Sequence, residues 1–112
     1  MQGNQLVSFL LGELANHKVE NLEVIDISGK TSLANHMLIA TGRSERHIES
    51  AVDQLRLALK KLDIISRVPE GRNSGWVVLD LGDVIVHIFT ESERDRYKLS
   101  DLWKNEINVI SS

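Results

Sequence analysis

Two apolar runs, Trp76-Val77-Val78-Leu79-Asp80-Leu81 and Val84-Ile85-Val86-His87-Ile88-Phe89, flank the dipeptide Gly82-Asp83. No other feature of the chain constrains its fold as strongly. Both runs are rich in β-branched and aromatic side chains, which suit a pleated, half-buried surface. A Gly-X connection between such runs predicts a β-hairpin with a type II′ turn, because glycine at the first central position supplies the positive φ. The register follows from the turn. Leu81 opposes Val84, Asp80 opposes Ile85, Leu79 opposes Val86, Val78 opposes His87, Val77 opposes Ile88 and Trp76 opposes Phe89. Residues opposed across a ladder share a sheet face. One face is then Val77, Leu79, Leu81, Val84, Val86 and Ile88, purely aliphatic, and must be core. The other is Trp76, Val78, Asp80, Ile85, His87 and Phe89, which is mixed. Either a helix covers this mixed face and satisfies Asp80 and His87 locally, or the part around Trp76 and Asp80 lies open to a partner. A slip of one residue would exchange the two faces.

The rest of the chain alternates helical and extended patterns. Leu6, Phe9, Leu10, Leu14 and His17 recur at helical spacing, so residues 4–18 read as an amphipathic helix. Residues 22–27 are rich in β-branched side chains and read as a strand, ended by Ser28-Gly29-Lys30. Met37 to Ala40 is a second short apolar run, also read as a strand. The longest helix spans 44–62, with a stripe of Ile48, Ala51, Val52, Leu55, Leu59 and Leu62. Ser44 is its expected N-cap, with Glu45 in the first turn and Lys60 and Lys61 in the last, matching the helix dipole. Residues 66–75 hold the only proline, Pro69, with Gly71, Asn73 and Gly75, and read as a loop with a short edge strand near Arg67-Val68. Thr90-Glu91-Ser92-Glu93 has the form of a capping box and opens a helix through about Lys98. Ser100 can cap a final turn carrying Leu102 and Trp103. This order implies an α/β fold of the α+β layer type, a mixed sheet flanked by helices.

Composition serves mainly to exclude. A chain of 112 residues, 42% hydrophobic and 26% charged, is one globular domain. We expect it to span residues 1–105, with 106–112 a C-terminal tail that is disordered at its end. The absence of cysteine removes disulfide scaffolds, thiol catalysis and cysteine-ligated zinc. Leu6 to Leu11 lacks a preceding positive residue, so it is not read as a targeting signal, and no run reaches the length of a membrane span. A soluble cytoplasmic protein is expected. The net charge of −3 is too acidic for nucleic-acid binding by charge alone. Its distribution is uneven. Residues 1–42 balance to −2, residues 43–72 to +2, and residues 73–112, with four bases and seven acids, to −3. That acidic third also holds Trp76, Phe89, Tyr97 and Trp103. Acidic surface with aromatic side chains suits a basic protein partner better than a phosphate backbone, although an ordinary solvated charge distribution is the simpler reading of the same residues.

A search for catalytic chemistry ends without a site. There is no nucleophile elbow, phosphate-binding loop or dinucleotide fingerprint. Gly42-Arg43-Ser44 precedes a helix and could hold an anion, yet one glycine is a weak signal beside an ordinary strand-to-helix turn. His17, His36, His47 and His87 lack metal-ligand spacing, and His87 reads as a satisfied core histidine. Asp80 and Asp83 suggest a carboxylate pair, but Asp83 occupies a turn position that favours aspartate, and the odd offset sends the two apart. No metal, no cofactor and no catalytic residue is therefore expected. The competing reading is a small nucleotide-binding or nucleotidyl-transfer enzyme using Gly42 to Ser44 with Asp80 and Asp83.

Three ordered segments resemble a known family. They are Val24-Ile25-Asp26-Ile27-Ser28-Gly29-Lys30-Thr31-Ser32-Leu33 with Met37 through His47, then Asn73-Ser74-Gly75-Trp76 through His87, then Glu93-Arg94 to Tyr97, Leu99, Leu102 and Trp103. Together, over about residues 4–104, they resemble the ribosomal silencing factor family (RsfS, also called Iojap). Leu81 stands where many members carry tyrosine, and the loop before Trp76 is short. The resemblance implies a nucleotidyltransferase-like core that lacks catalytic residues. It also implies a regulator that binds ribosomal protein number fourteen on the intersubunit face of the large subunit and blocks subunit joining when nutrients are short. No direct nucleic-acid or membrane contact is required. A homodimer off the ribosome is implied as well. The candidate partner-binding residues are Trp76, Asp80, Tyr97, Leu99, Leu102 and Trp103, with Trp76 as apolar anchor and Asp80 as charge partner.

Overall fold

The computed structural model describes residues 3–97. Within them the elements run α1 (Gly3–Asn16), β1 (Glu20–Asp26), β2 (His36–Gly42), α2 (Glu45–Lys60), β3 (Trp76–Asp80), β4 (Val84–Thr90) and α3 (Glu91–Tyr97). The strands form one mixed sheet in the order β1-β2-β4-β3. β1 pairs antiparallel with β2, β2 parallel with β4, and β3 antiparallel with β4. This is the α+β layer arrangement that the order of patterns implies.

The hairpin has the register read from its turn, from Trp76 opposite Phe89 to Asp80 opposite Ile85. Gly82 takes φ +86°, and Leu81 N–H donates to the Val84 carbonyl at 3.0 Å. The aliphatic face is core. Val77, Leu79, Val84, Val86 and Ile88 pack with Leu6, Val7, Leu10 and Leu14 of α1 and Ile48, Val52, Leu55 and Leu59 of α2. A second, smaller cluster lies on the opposite face, where Ile25, Ile27, Ala34, Met37, Ile39 and Phe89 meet, with Trp76 and Ile85 against them. β2 is buried on both faces because it is interior and parallel to β4.

Several boundaries differ from the sequence expectation. β2 is longer than Met37 to Ala40, since its ladder with β4 runs from His36 to Gly42. β1 begins earlier than residue 22 and carries a bulge between Glu20 and Glu23, with Asn21 at φ +52°. Ile27 leaves the ladder, and its N–H donates to the Asn35 carbonyl at 2.9 Å. Ser44 caps α2, its hydroxyl accepting from His47 N–H at 3.0 Å. Leu62, however, is 42% exposed and does not extend the core stripe. Lys61 is the C-cap and Asp63 turns left-handed at φ +60°, so the chain leaves the helical path before Leu62 can reach the core.

The expected edge strand near Arg67-Val68 is reduced to an isolated bridge between Glu70 and Val78. Arg67 N–H still donates to the Asp80 carbonyl at 3.2 Å, so this segment follows the outer edge of β3. α3 starts where the capping-box pattern places it, directly after β4, and none of its residues is buried. The expected final turn after Ser100 and the tail at 106–112 lie outside the described residues.

Candidate docking face

α1 and α2 seal one face of the sheet, and the other carries the mixed side of the hairpin. Trp76 stands at the start of β3, next to β4 on that face. Its indole Nε1–H donates to His87 Nδ1 at 3.0 Å. Its ring stacks on Phe89 with centroids 4.9 Å apart and planes 24° apart. Tyr97, the last residue of α3, tilts against the same ring at 4.6 Å. His87 and Phe89 stack at 6.2 Å. Phe89 is fully buried, Trp76 half-buried and Tyr97 45% exposed. The cluster thus rises from a buried floor to an open rim, the arrangement in which aromatic side chains serve as binding anchors.

The backbone beneath Trp76 is held tightly. The Ser74 hydroxyl lies 2.5 Å from the Gly71 carbonyl and 3.0 Å from the Trp76 carbonyl. Gly71 has φ +80°, and a Cβ there would stand 2.2 Å from the Trp76 carbonyl oxygen. At this position glycine answers both a backbone need and a space need.

His87 differs from the expected satisfied core histidine. It is 7% exposed, and its Nδ1 accepts from Trp76, so the neutral ring carries its proton on Nε2. That Nε2 is buried and has no hydrogen-bond partner among the described residues. Burial pushes the imidazole pKa down from 6.5 to about 4, so the ring is neutral at pH 7.

Asp80 sits at the far end of β3, about 13 Å along the strand from Trp76. Its carboxylate accepts from Gly82 N–H at 2.8 Å, bracing the hairpin turn. The other oxygen lies 3.8 Å from Arg67 Nε in an exposed pair. Such a pair is worth little to stability. The structure therefore brings Trp76 and Tyr97 into contact and places Asp80 on the same face, apart from them. Leu99, Leu102 and Trp103 lie outside the described residues. Phe89 and His87 belong to the cluster although neither was a candidate. The signal for both was present, since the register puts Phe89 opposite Trp76 and His87 on its face.

The residues of the competing enzymatic reading are occupied structurally. Ser44 caps α2. Arg43 N–H donates to His47 Nδ1 at 2.9 Å, and His47 Nε2 lies 2.7 Å from the His17 carbonyl. A Cβ on Gly42 would meet Ile48 Cγ1 at 2.4 Å, so this glycine serves close packing. Asp83 accepts from the Asn35 side chain, and its carbonyl accepts from Asn35 and His36 N–H at 3.0 and 3.2 Å. It fastens the turn to the start of β2. Among the described residues no group of three or more His, Asp or Glu could hold a metal ion. Among them, too, no helix is long and apolar enough to cross a membrane.

Comparison with known proteins agrees with this architecture. The family described as "Ribosomal silencing factor during starvation" matches residues 2–111. A protein of Haemophilus influenzae named ribosomal silencing factor RsfS is 37% identical over 99 residues, covering 88% of this chain and 97% of its own length. A crystal structure of a protein from Chromobacterium violaceum superimposes with a TM-score of 0.88 at 30% identity. That match covers 93% of this chain and 88% of the other. A more distant mouse protein, named mitochondrial assembly of ribosomal large subunit protein 1, is 24% identical over 102 residues, covering 87% of this chain and 44% of its own length. The chain belongs to the ribosomal silencing factor family, and so is a regulatory protein of the ribosome and not an enzyme.

Proposed function

We propose that this protein binds the large ribosomal subunit through ribosomal protein number fourteen on the intersubunit face, and there blocks joining of the small subunit when nutrients are short. The observation that carries this reading is the Trp76 ring, half-buried and gripped by His87, Phe89 and Tyr97 on the face that α1 and α2 leave open. Trp76 is the apolar anchor and Tyr97 widens it. Asp80 exchanges Arg67 for a cation of the basic partner. Leu99, Leu102 and Trp103 complete the contact set from the closing segment. The mouse relative, whose name ties it to the large subunit, supports that choice of subunit. Repression needs only occupancy. A body with extents of 41 × 33 × 21 Å overfills a gap between subunits that meet at contact distance. Off the ribosome the protein forms a homodimer.

Cosedimentation with purified large subunits, paired with light scattering of subunit joining, tests the reading. Wild-type protein is expected to cofractionate with large subunits and to slow joining. If it does neither, the proposal is wrong. Trp76→Ala should weaken binding by about 2 kcal/mol, or about 30-fold, with the fold intact by circular dichroism. Unchanged affinity in that folded variant would remove Trp76 from the contact set.

A further inference from the structure

α3 has no buried residue, so little apolar packing fixes its direction. It nevertheless delivers Tyr97 to within 4.6 Å of the Trp76 ring. Two features hold it. Gly75 permits close approach, since a Cβ there would lie 2.6 Å from Glu93 Cγ. The other is Arg94, whose guanidinium reaches across the sheet to three acceptors on two strands. Nη1 donates to the Asn21 carbonyl at 2.5 Å and to Thr41 Oγ1 at 2.9 Å, and Nη2 pairs with the Glu23 carboxylate at 3.2 Å.

Each acceptor has a reason to be there. The bulge between Glu20 and Glu23 takes Asn21 out of the β1–β2 ladder, so its carbonyl is turned to a side-chain donor. Asn21 holds a left-handed φ of +52° to do so. Thr41 is 8% exposed, so its hydroxyl requires an internal partner, and Arg94 supplies one. Glu23 and Arg94 are largely shielded, at 27% and 20% side-chain exposure, and salt screens such a pair less than a surface pair. The ion pair between Arg96 and Glu93, by contrast, stays within α3 and anchors it to nothing.

We infer that Arg94 is a positioning residue: by clamping α3 to the bulge of β1 and to Thr41, it sets Tyr97 against Trp76 and so pre-forms the docking face. Its effect on binding rests on the docking reading above, whereas its effect on the Trp76–Tyr97 contact does not. Lysine can satisfy only part of the three-acceptor set, because its single ammonium lacks the planar fork.

The test has two arms. In the first, the indole N–H resonance of Trp76 is followed in 15N-labelled protein and assigned by its loss in Trp76→Phe. Arg94→Gln should move that resonance, because the Tyr97 ring leaves, while the far-ultraviolet spectrum stays folded. Arg94→Lys should give an intermediate position. If Arg94→Gln fails to fold, Arg94→Lys alone decides. A resonance that does not move in the folded variant overturns the inference. In the second arm, Arg94→Gln should weaken large-subunit binding at least fivefold in the wild-type background and less than twofold in a Tyr97→Ala background. Equal losses in both backgrounds mean that Arg94 does not act through Tyr97, and overturn the inference. If wild-type protein does not bind large subunits at all, the docking reading falls, and the resonance arm alone decides the role of Arg94.

Discussion

Acidification should destabilise this protein through His87 before its carboxylates titrate, and the size of the effect can be worked out from the structure. In the unfolded chain the imidazole titrates near 6.5, whereas in the folded protein burial lowers it to about 4. Between those values the unfolded chain binds a proton that the folded protein does not. Unfolding therefore becomes easier as pH falls through this window. The stability tied to neutral His87 is complete above pH 6.5, is lost progressively toward pH 4, and has no further to fall below it. A difference of about 2.5 units at 1.36 kcal/mol each gives a loss of about 3 kcal/mol, with a steepest slope of about 1.4 kcal/mol per pH unit. Against a total stability of about 5–15 kcal/mol for a small domain, that is a large share. The chemical origin is specific. Protonation puts a hydrogen on Nδ1, where the Trp76 indole already points its own N–H, so a hydrogen bond becomes a repulsion between two donors.

The assay is urea denaturation followed by circular dichroism at steps from pH 7.5 to 4.5, for wild type and His87→Gln. Glutamine keeps an acceptor for the Trp76 N–H and does not titrate. Carboxylates contribute equally to both proteins, so the difference between the two curves isolates the histidine. The wild-type curve should fall away from the variant's below pH 6.5 and diverge by about 2 kcal/mol at pH 5. Parallel curves between pH 7 and 5 would refute the reasoning. So would an NMR titration of the folded protein that places the His87 midpoint above pH 6, since burial would then not exclude the charged ring.

Two further substitutions test local structure. Ser44→Ala removes the hydroxyl that accepts from His47 N–H and should cost about 1 kcal/mol of unfolding free energy, read by urea denaturation, with large-subunit binding unchanged. Gly71→Ala places a Cβ on a backbone at φ +80° and against the Trp76 carbonyl, so it should cost at least about 1–2 kcal/mol in the same assay. Because the displaced atom belongs to Trp76, Gly71→Ala should also weaken binding to large subunits in the cosedimentation assay.

The parts of the fold that were legible in the sequence share a physical cause. The hairpin register, the Ser44 cap and the stripes of α1 and α2 are set by residues close in the chain, through turn chemistry and periodicity. The misjudged boundaries depend on pairing between distant segments. β2 extends to His36 and Gly42 because β4 lies beside it in parallel, which no local pattern announces. Leu62 fits a helical stripe, yet the chain turns at Lys61 and Asp63, and a periodic count cannot see the turn. The same division holds for the site. Trp76, Asp80 and Phe89 could be placed on one face from the register alone. The bond from Trp76 to His87 runs diagonally, between positions that do not oppose each other, and Arg94 reaches acceptors 53 to 73 positions away in the chain. The Arg94 contacts could not be read before the strands had been assembled, whereas the register already put His87 on the face of Trp76.

The assembled structure also changes the meaning of the acidic third. By sequence, residues 73–112 carry a surplus of negative charge that suggests broad attraction to a basic partner. Among the described residues, three of the acids in that third are engaged. Asp83 holds Asn35, Asp80 braces its turn and leans toward Arg67, and Glu93 lies within reach of Arg96. Exposed charges of this kind steer encounter and discourage wrong partners more than they add affinity. If the proposed face is the docking face, its affinity comes from the aromatic cluster, and the cluster is suited to supply it. A side chain that orders only on binding costs about 0.5–1.5 kcal/mol. Trp76 is already held by one hydrogen bond and three ring contacts, so most of that cost has been met in folding. On the proposed docking reading, repression through position alone requires that the Trp76 anchor be presented in a fixed orientation. The unusual features of this face, a buried half-satisfied histidine and a left-handed asparagine in a bulge, are where the fold bears the cost of fixing it.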